Sequence, residues 1–243
     1  MSASGVTAVV LAARGGARLA RAAASVAWAD ERVVWDPAGR LEPGAIPPAT
    51  RHVTGAHALA TLGTAPWLLL LEEEEALDAA GAATIAAAPR AASGPDGYRL
   101  ARAVEAFGRT LRVGGAPVRL ARRAEARLEF GAGLGVRIAV PGPTARLAVT
   151  LHARRAAHVG DTLDDLDADG AALAALLYAG GRRARLRSVV TAPLAAGTRL
   201  LFARAGAGLG WGRWIVSVLG GYRAMVVYAK LWEVERRRVA VPW

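Results

Sequence analysis

Two acidic features stand out in a chain that is otherwise short of acid: Asp36, closing the segment RVVWD, and the run Glu72–Glu75, closing WLLLLEEEEALD. Each follows a short, fully apolar segment, so each reads as carboxylate chemistry placed at the end of a buried strand. Alternation along a strand sends residues i and i+2 to the same side, which groups Glu72 with Glu74 and opposes Glu73. The alternative is plainer. Glu72 to Glu75 open the following helix, where carboxylates suit the positive end of the macrodipole, with Glu75 the residue best placed for that role. Asp36, likewise, either lines a pocket or caps the Pro/Gly turn that follows it.

The elements that position these residues follow from the apolar periodicity. VTAVVLAA (6–13), RVVWD (32–36), RHVTG (51–55) and WLLLLE (67–72) read as four strands. Between them, 15–29 has Leu19, Ala23 and Val26 at helical spacing, 37–48 is a Pro/Gly loop, and AHALATLG suggests a short helix. Continuous apolar strands separated by helices indicate a parallel sheet covered on both faces, with its ligand site outside the carboxyl ends of the strands. Asp36 and Glu72 both fall at such ends. Segments 97–102, 116–123, 126–130, 136–140 and 145–152 read as further strands and loops in a less regular region. From Thr162 onward the chain turns helical, over 162–181, 188–206 and 211–238. The expected class is α/β, with a first region over 1–160 and a helical extension over 161–243.

Composition narrows the chemistry. The chain has 243 residues, no cysteine and four histidines, which excludes disulfides, thiolate catalysis and Cys-ligated zinc and agrees with a reducing compartment. The formal net charge of +11 comes almost wholly from arginine and favours anionic partners such as phosphorylated small molecules or an acidic membrane surface. No zinc motif, RNP-like strand or helix-turn-helix pattern supports nucleic-acid binding. The N-terminus reads as no signal peptide, and no segment reads as a transmembrane span.

Several segments in order resemble the family 2 glycosyltransferases of the lipopolysaccharide-core β-glucosyltransferase type. SVAWADERVVWD (25–36) and APWLLLLEEEEAL (65–77) carry the resemblance, with GYRLAR (97–102), FGRTLRVGG (107–115), VRLARR (118–123), GPTARLAVTLH (142–152) and the terminal YAKLWE (228–233) following. The resemblance implies a GT-A fold and inverting transfer of a sugar from a nucleotide-diphosphate sugar to a lipid-linked or saccharide acceptor. It implies that Asp36 holds the nucleoside. Glu72 and Glu74 fall on the two acids of the family's D-x-D pattern and would hold Mg²⁺ or Mn²⁺ on the diphosphate.

Other family positions are replaced. Arg14-Gly15-Gly16 stands where the family has N-E-E, and the H-E pair that would supply a general base falls near Gly135-Val136. Glu125 and Glu129 are the nearby carboxylates, and His152 matches a family histidine. The resemblance therefore covers two readings: an active transferase at the cytoplasmic face of a membrane, and an impaired relative that binds or partners an active one.

The last helical segment offers a means of reaching such a membrane. Trp211, Ile215, Val218, Tyr222, Met225, Ala229 and Trp232 share one face, with Arg213, Arg223, Lys230 and Arg236 to Arg238 as charge for anionic headgroups. Gly220-Gly221 is expected to break this segment into two helices. Core packing is the competing role for the stripe.

Overall fold

The computed structural model describes residues 4–88, 94–106, 109–112, 116–130, 136–154, 159–202 and 212–239. They divide into two compact units, the described residues up to 154 in one and those from 159 onward in the other.

The first unit is α/β. Strands β1 (Val6–Leu11), β2 (Glu31–Asp36), β3 (Arg51–Thr54) and β4 (Trp67–Glu72) form a parallel set in the order β3-β2-β1-β4. Helix α1 (Ala17–Ser25) is the crossover from β1 to β2, burying Leu19, Ala22 and Ala23. The apolar runs explain the arrangement. All six β1 residues and Trp67 to Leu71 of β4 are buried, as a strand covered on both faces requires. Each of Leu68 to Leu71 contributes roughly 2 kcal/mol by that burial.

Beyond β4 the sheet becomes mixed. Strand β5 (Glu75–Ala76) has two residues, and helix α2 (Ala79–Ala87) follows it. Strands β6 (Gly97–Ala106), β7 (Arg109–Arg112), β8 (Val118–Arg122), β9 (Arg127–Phe130), β10 (Val136–Ala139) and β11 (Thr144–Arg154) complete the unit. The order continues β4-β8-β6-β11-β5; β8 is antiparallel to both β4 and β6, and β6 is parallel to β11. β7 pairs with β6, and β9 with β10 forms a separate ribbon.

Three local expectations are corrected. The segment AHALATLG forms one 3-10 turn, Leu59–Thr61, because Leu59 and Leu62 are pinned in the core and Arg123 binds the carbonyls of Ala60 and Ala65. The glutamate run does not open a helix: α2 starts later, and Asp78 caps it by accepting from the Gly81 N–H at 2.7 Å. Glu75 lies instead in β5, antiparallel to β11.

The third correction is in the second unit, which contains α3 (Val159–Ala179), α4 (Leu186–Phe202) and α5 (Gly212–Val239). Gly220-Gly221 does not break α5, which runs unbroken for 28 residues. The glycines serve close packing. A Cβ on Gly221 would stand 3.0 Å from the Pro193 carbonyl oxygen of α4, and one on Gly220 would run into Leu200. Opposite them, Gly197 of α4 faces the Ser217 carbonyl. No described helix is long and apolar enough to cross a membrane.

Candidate functional site

Asp36 and Glu72 end strands that flank β1. Leu11 at the end of β1 is in register with Trp35 on one side and with Glu72 on the other. The sheet thus brings the two acidic features to neighbouring carboxyl ends, and their surroundings differ.

Asp36 is fully buried. Its Oδ1 accepts from the Gly39 N–H and its Oδ2 from the Leu41 N–H, both at 2.8 Å, so the carboxylate organises the turn over 37–41. His52 Nε2 lies 3.9 Å from Oδ2, beyond hydrogen-bonding distance. The residue shapes the loop at the strand end, and both of its oxygens are committed to that loop.

The glutamate run splits two ways. Glu73 turns back to β1, where its carboxylate accepts from the backbone N–H groups of Ala13 at 2.9 Å, Arg14 at 3.1 Å and Gly15 at 3.0 Å. Gly15 and Gly16 take positive φ angles of 80° and 75°, a conformation that lets this turn present successive N–H groups to one anion. The anion is supplied by the chain itself.

Glu72, Glu74 and Glu75 face the other way, into two arginines. Arg102 of β6 places Nη2 2.6 Å from Glu74 Oε1 and 3.3 Å from Glu72 Oε2, with Nε 2.8 Å from Glu75 Oε1. Arg119 of β8 places Nη2 2.9 Å from Glu72 Oε1 and 2.8 Å from Glu75 Oε1, while its Nη1 donates to the Val136 carbonyl. Glu75 Oε2 accepts from the Glu72 N–H at 2.9 Å. Arg21 of α1 donates to the Glu74 carbonyl.

Burial sets the electrostatics. It pushes the fully buried Glu75 carboxyl up from its ordinary value; Arg119 and Arg102 pull it back, Glu72 adds to the rise, and the direction remains upward. Burial works against the charge on both arginines too. Glu72, Glu75 and Glu74 outweigh it at Arg102, and Glu75 and Glu72 at Arg119, so both guanidiniums are held above their ordinary range.

The expected Mg²⁺ or Mn²⁺ can be tested against these residues, and it does not fit. Glu72 and Glu74 are two carboxylates on one side of the strand end, but the space between their oxygens is taken by a guanidinium. Among the described residues, no group of three or more acids and histidines is open to a metal ion. Of the other carboxylates considered as bases, Glu125 is exposed and Glu129 pairs with Arg137 at 2.9 Å; neither joins the cluster. His152 stands on β11, 4.0 Å from Asp78.

Sequence reasoning missed Arg102 and Arg119. The signal was an arginine inside the apolar strand VRLAR: Arg119, flanked by Val118 and Leu120, is almost fully buried and so demands a carboxylate.

No family model matches the chain, and no curated protein matches it. Among solved structures it is similar to the crystal structure of S. aureus TarS 1–349, at 11% sequence identity and a TM-score of 0.36, spanning 98% of this chain and 93% of that one.

Proposed function

We propose that this chain is a glycosyltransferase of GT-A type, taking a nucleotide-diphosphate sugar as donor and a lipid-linked or saccharide acceptor. The single observation that carries the reading is the parallel β3-β2-β1-β4 order with Asp36 and Glu72 at corresponding carboxyl ends, where ligands of open α/β sheets bind. The motif order of the family 2 resemblance supports it. In this reading Asp36 shapes the 37–41 loop beneath the nucleoside. The acceptor hydroxyl attacks the anomeric carbon from the face opposite the diphosphate; the new C–O bond forms as the bond to the diphosphate breaks with inversion, and the hydroxyl proton passes to water.

The acceptor is membrane-borne in this reading, and the chain meets it as a peripheral protein at the cytoplasmic face. Of the α5 stripe, Ile215, Val218, Tyr222, Met225 and Trp232 are exposed; the buried residues of the helix, Ala224, Val227 and Leu231, are not among the stripe. The charge expected beside that face is reduced. Lys230 is taken by Asp167 at 2.7 Å and Arg223 lies 3.7 Å from Asp169, both acids of α3. Arg236 stacks over Trp232 at 4.6 Å and is the remaining described cation of the expected set. Trp211 and the side chains of Arg213, Arg237 and Arg238 lie outside the described residues.

A second reading, an impaired relative that binds donor without turnover, is favoured by the exposed, outlying positions of Glu125 and Glu129. A panel of nucleotide sugars screened by thermal shift, with and without Mn²⁺, tests both readings together with release of free nucleotide. A shift with nucleotide release supports the transferase; a shift without release supports the binding protein. No shift with any sugar nucleotide removes both.

A further inference from the structure

Glu72, Glu74 and Glu75 bring three negative charges to one place, and Arg102 and Arg119 bring two positive ones. One divalent cation on the same three carboxylates would leave the same residual charge. Two guanidiniums are therefore charge-equivalent to one metal ion here. They are equivalent in position as well. A cation bridging Glu72 Oε2 and Glu74 Oε1 would have to stand where Arg102 Nη2 already bridges them, at 3.3 and 2.6 Å.

The pair is built in rather than adventitious. Arg119 comes from β8 and Arg102 from β6, adjacent strands of the sheet, and each reaches both Glu72 and Glu75. The Arg119 side chain is only 2% exposed, so its charge has no alternative partner in solvent. Arg102 is 15% exposed and is the member of the pair that a ligand can reach. Guanidinium also suits phosphate oxygens, which it meets through a planar fork of donors.

We propose that Arg102 and Arg119 replace the divalent cation at this strand end, so that the chain handles a nucleoside diphosphate without a metal. The diphosphate rests on the donor reading above; the replacement of the cation does not. Arg102 supplies the charge that faces the leaving phosphates, and Arg119 holds Glu72 and Glu75 in place behind it.

Manganese itself is the probe. Free Mn²⁺ gives an electron paramagnetic resonance signal that falls when the ion binds, and the full-length chain titrated with Mn²⁺ should leave it at the amplitude seen in buffer. A saturable site that Glu74→Gln abolishes overturns the proposal. Arg102→Met should create such a site by freeing the carboxylates. If that variant fails to fold by circular dichroism, the parent titration still decides. With nucleotide sugars, an equal thermal shift in EDTA and in Mn²⁺ supports the replacement, and a shift that requires Mn²⁺ overturns it. Absence of any shift removes the donor reading instead, and the Mn²⁺ titration alone then judges the cation.

Discussion

Arg119 Nη2 stands 2.8 Å from Glu75 Oε1, and neither side chain is open to solvent. Desolvating two charges costs several kcal/mol, and this pair recovers that cost only while both partners are present. Arg119→Met should lower unfolding free energy by about 3–5 kcal/mol, the range for breaking a buried pair. Arg119→Met with Glu75→Gln should cost clearly less than the sum of the two single changes. Urea unfolding of the four proteins checks it; strict additivity would mean that the pair is not coupled.

The same pair has a pH signature. Glu75 in the folded chain titrates above its ordinary value of 4.5, so the folded state holds this proton more tightly than the unfolded state. Its contribution to stability is therefore fully present below about pH 4.5. It is lost as pH rises through the elevated folded value. The stability of the parent relative to Glu75→Gln should fall across that window and level off above it. Denaturant melts at a series of pH values measure the difference; a rise with pH would show the opposite shift.

Asp36 is expected to act on stability first. Replacing it with Ala leaves the Leu41 N–H without its acceptor and the Gly39 N–H with only the backbone carbonyl of position 36, at 3.3 Å, at a cost of about 1–3 kcal/mol. A melting temperature equal to the parent's would show that the 37–41 turn does not depend on this carboxylate.

Close approach of α4 and α5 predicts a steric result. Gly221→Val forces side-chain atoms toward the Pro193 carbonyl, which already lies 3.0 Å from an ideal Cβ position. Overpacking of this kind costs about 1–3 kcal/mol. Circular dichroism melts should show the loss, while an exposed control such as Val218→Ala should stay within about 0.5 kcal/mol.

Peripheral attachment through α5 predicts co-sedimentation with anionic vesicles at low salt. Binding should fall with added salt and with Trp232→Ser, which removes both the apolar ring and the seat of Arg236. A protein that stays in the supernatant at low salt rules this attachment out.

Strands β1, β2 and β4 were legible because each carries an unbroken apolar run bounded by Gly, Pro or charge, a pattern that a doubly covered sheet imposes, whereas β3, RHVT, is only partly buried and carries no such run. Asp36 and Glu72 were legible as strand ends for the same reason. What could not be read was what meets them. Arg119 and Glu75 are 44 positions apart and Arg102 and Glu74 are 28 apart, and strand order alone decides that they touch. Gly220-Gly221 was misread because two glycines in a helix look like a break until a neighbouring helix needs the space. The two-residue β5 was invisible because so short a strand has no periodicity.

Glu73 also ties together moments in folding that are far apart along the chain. It reaches Ala13 across 60 positions, so the turn after β1 cannot close over its carboxylate until β4 has been made and laid beside β1. The turn between β1 and α1, although local in sequence, is thereby made to wait for a distant strand. Its amide protons should gain protection from exchange late, together with β4 rather than with α1.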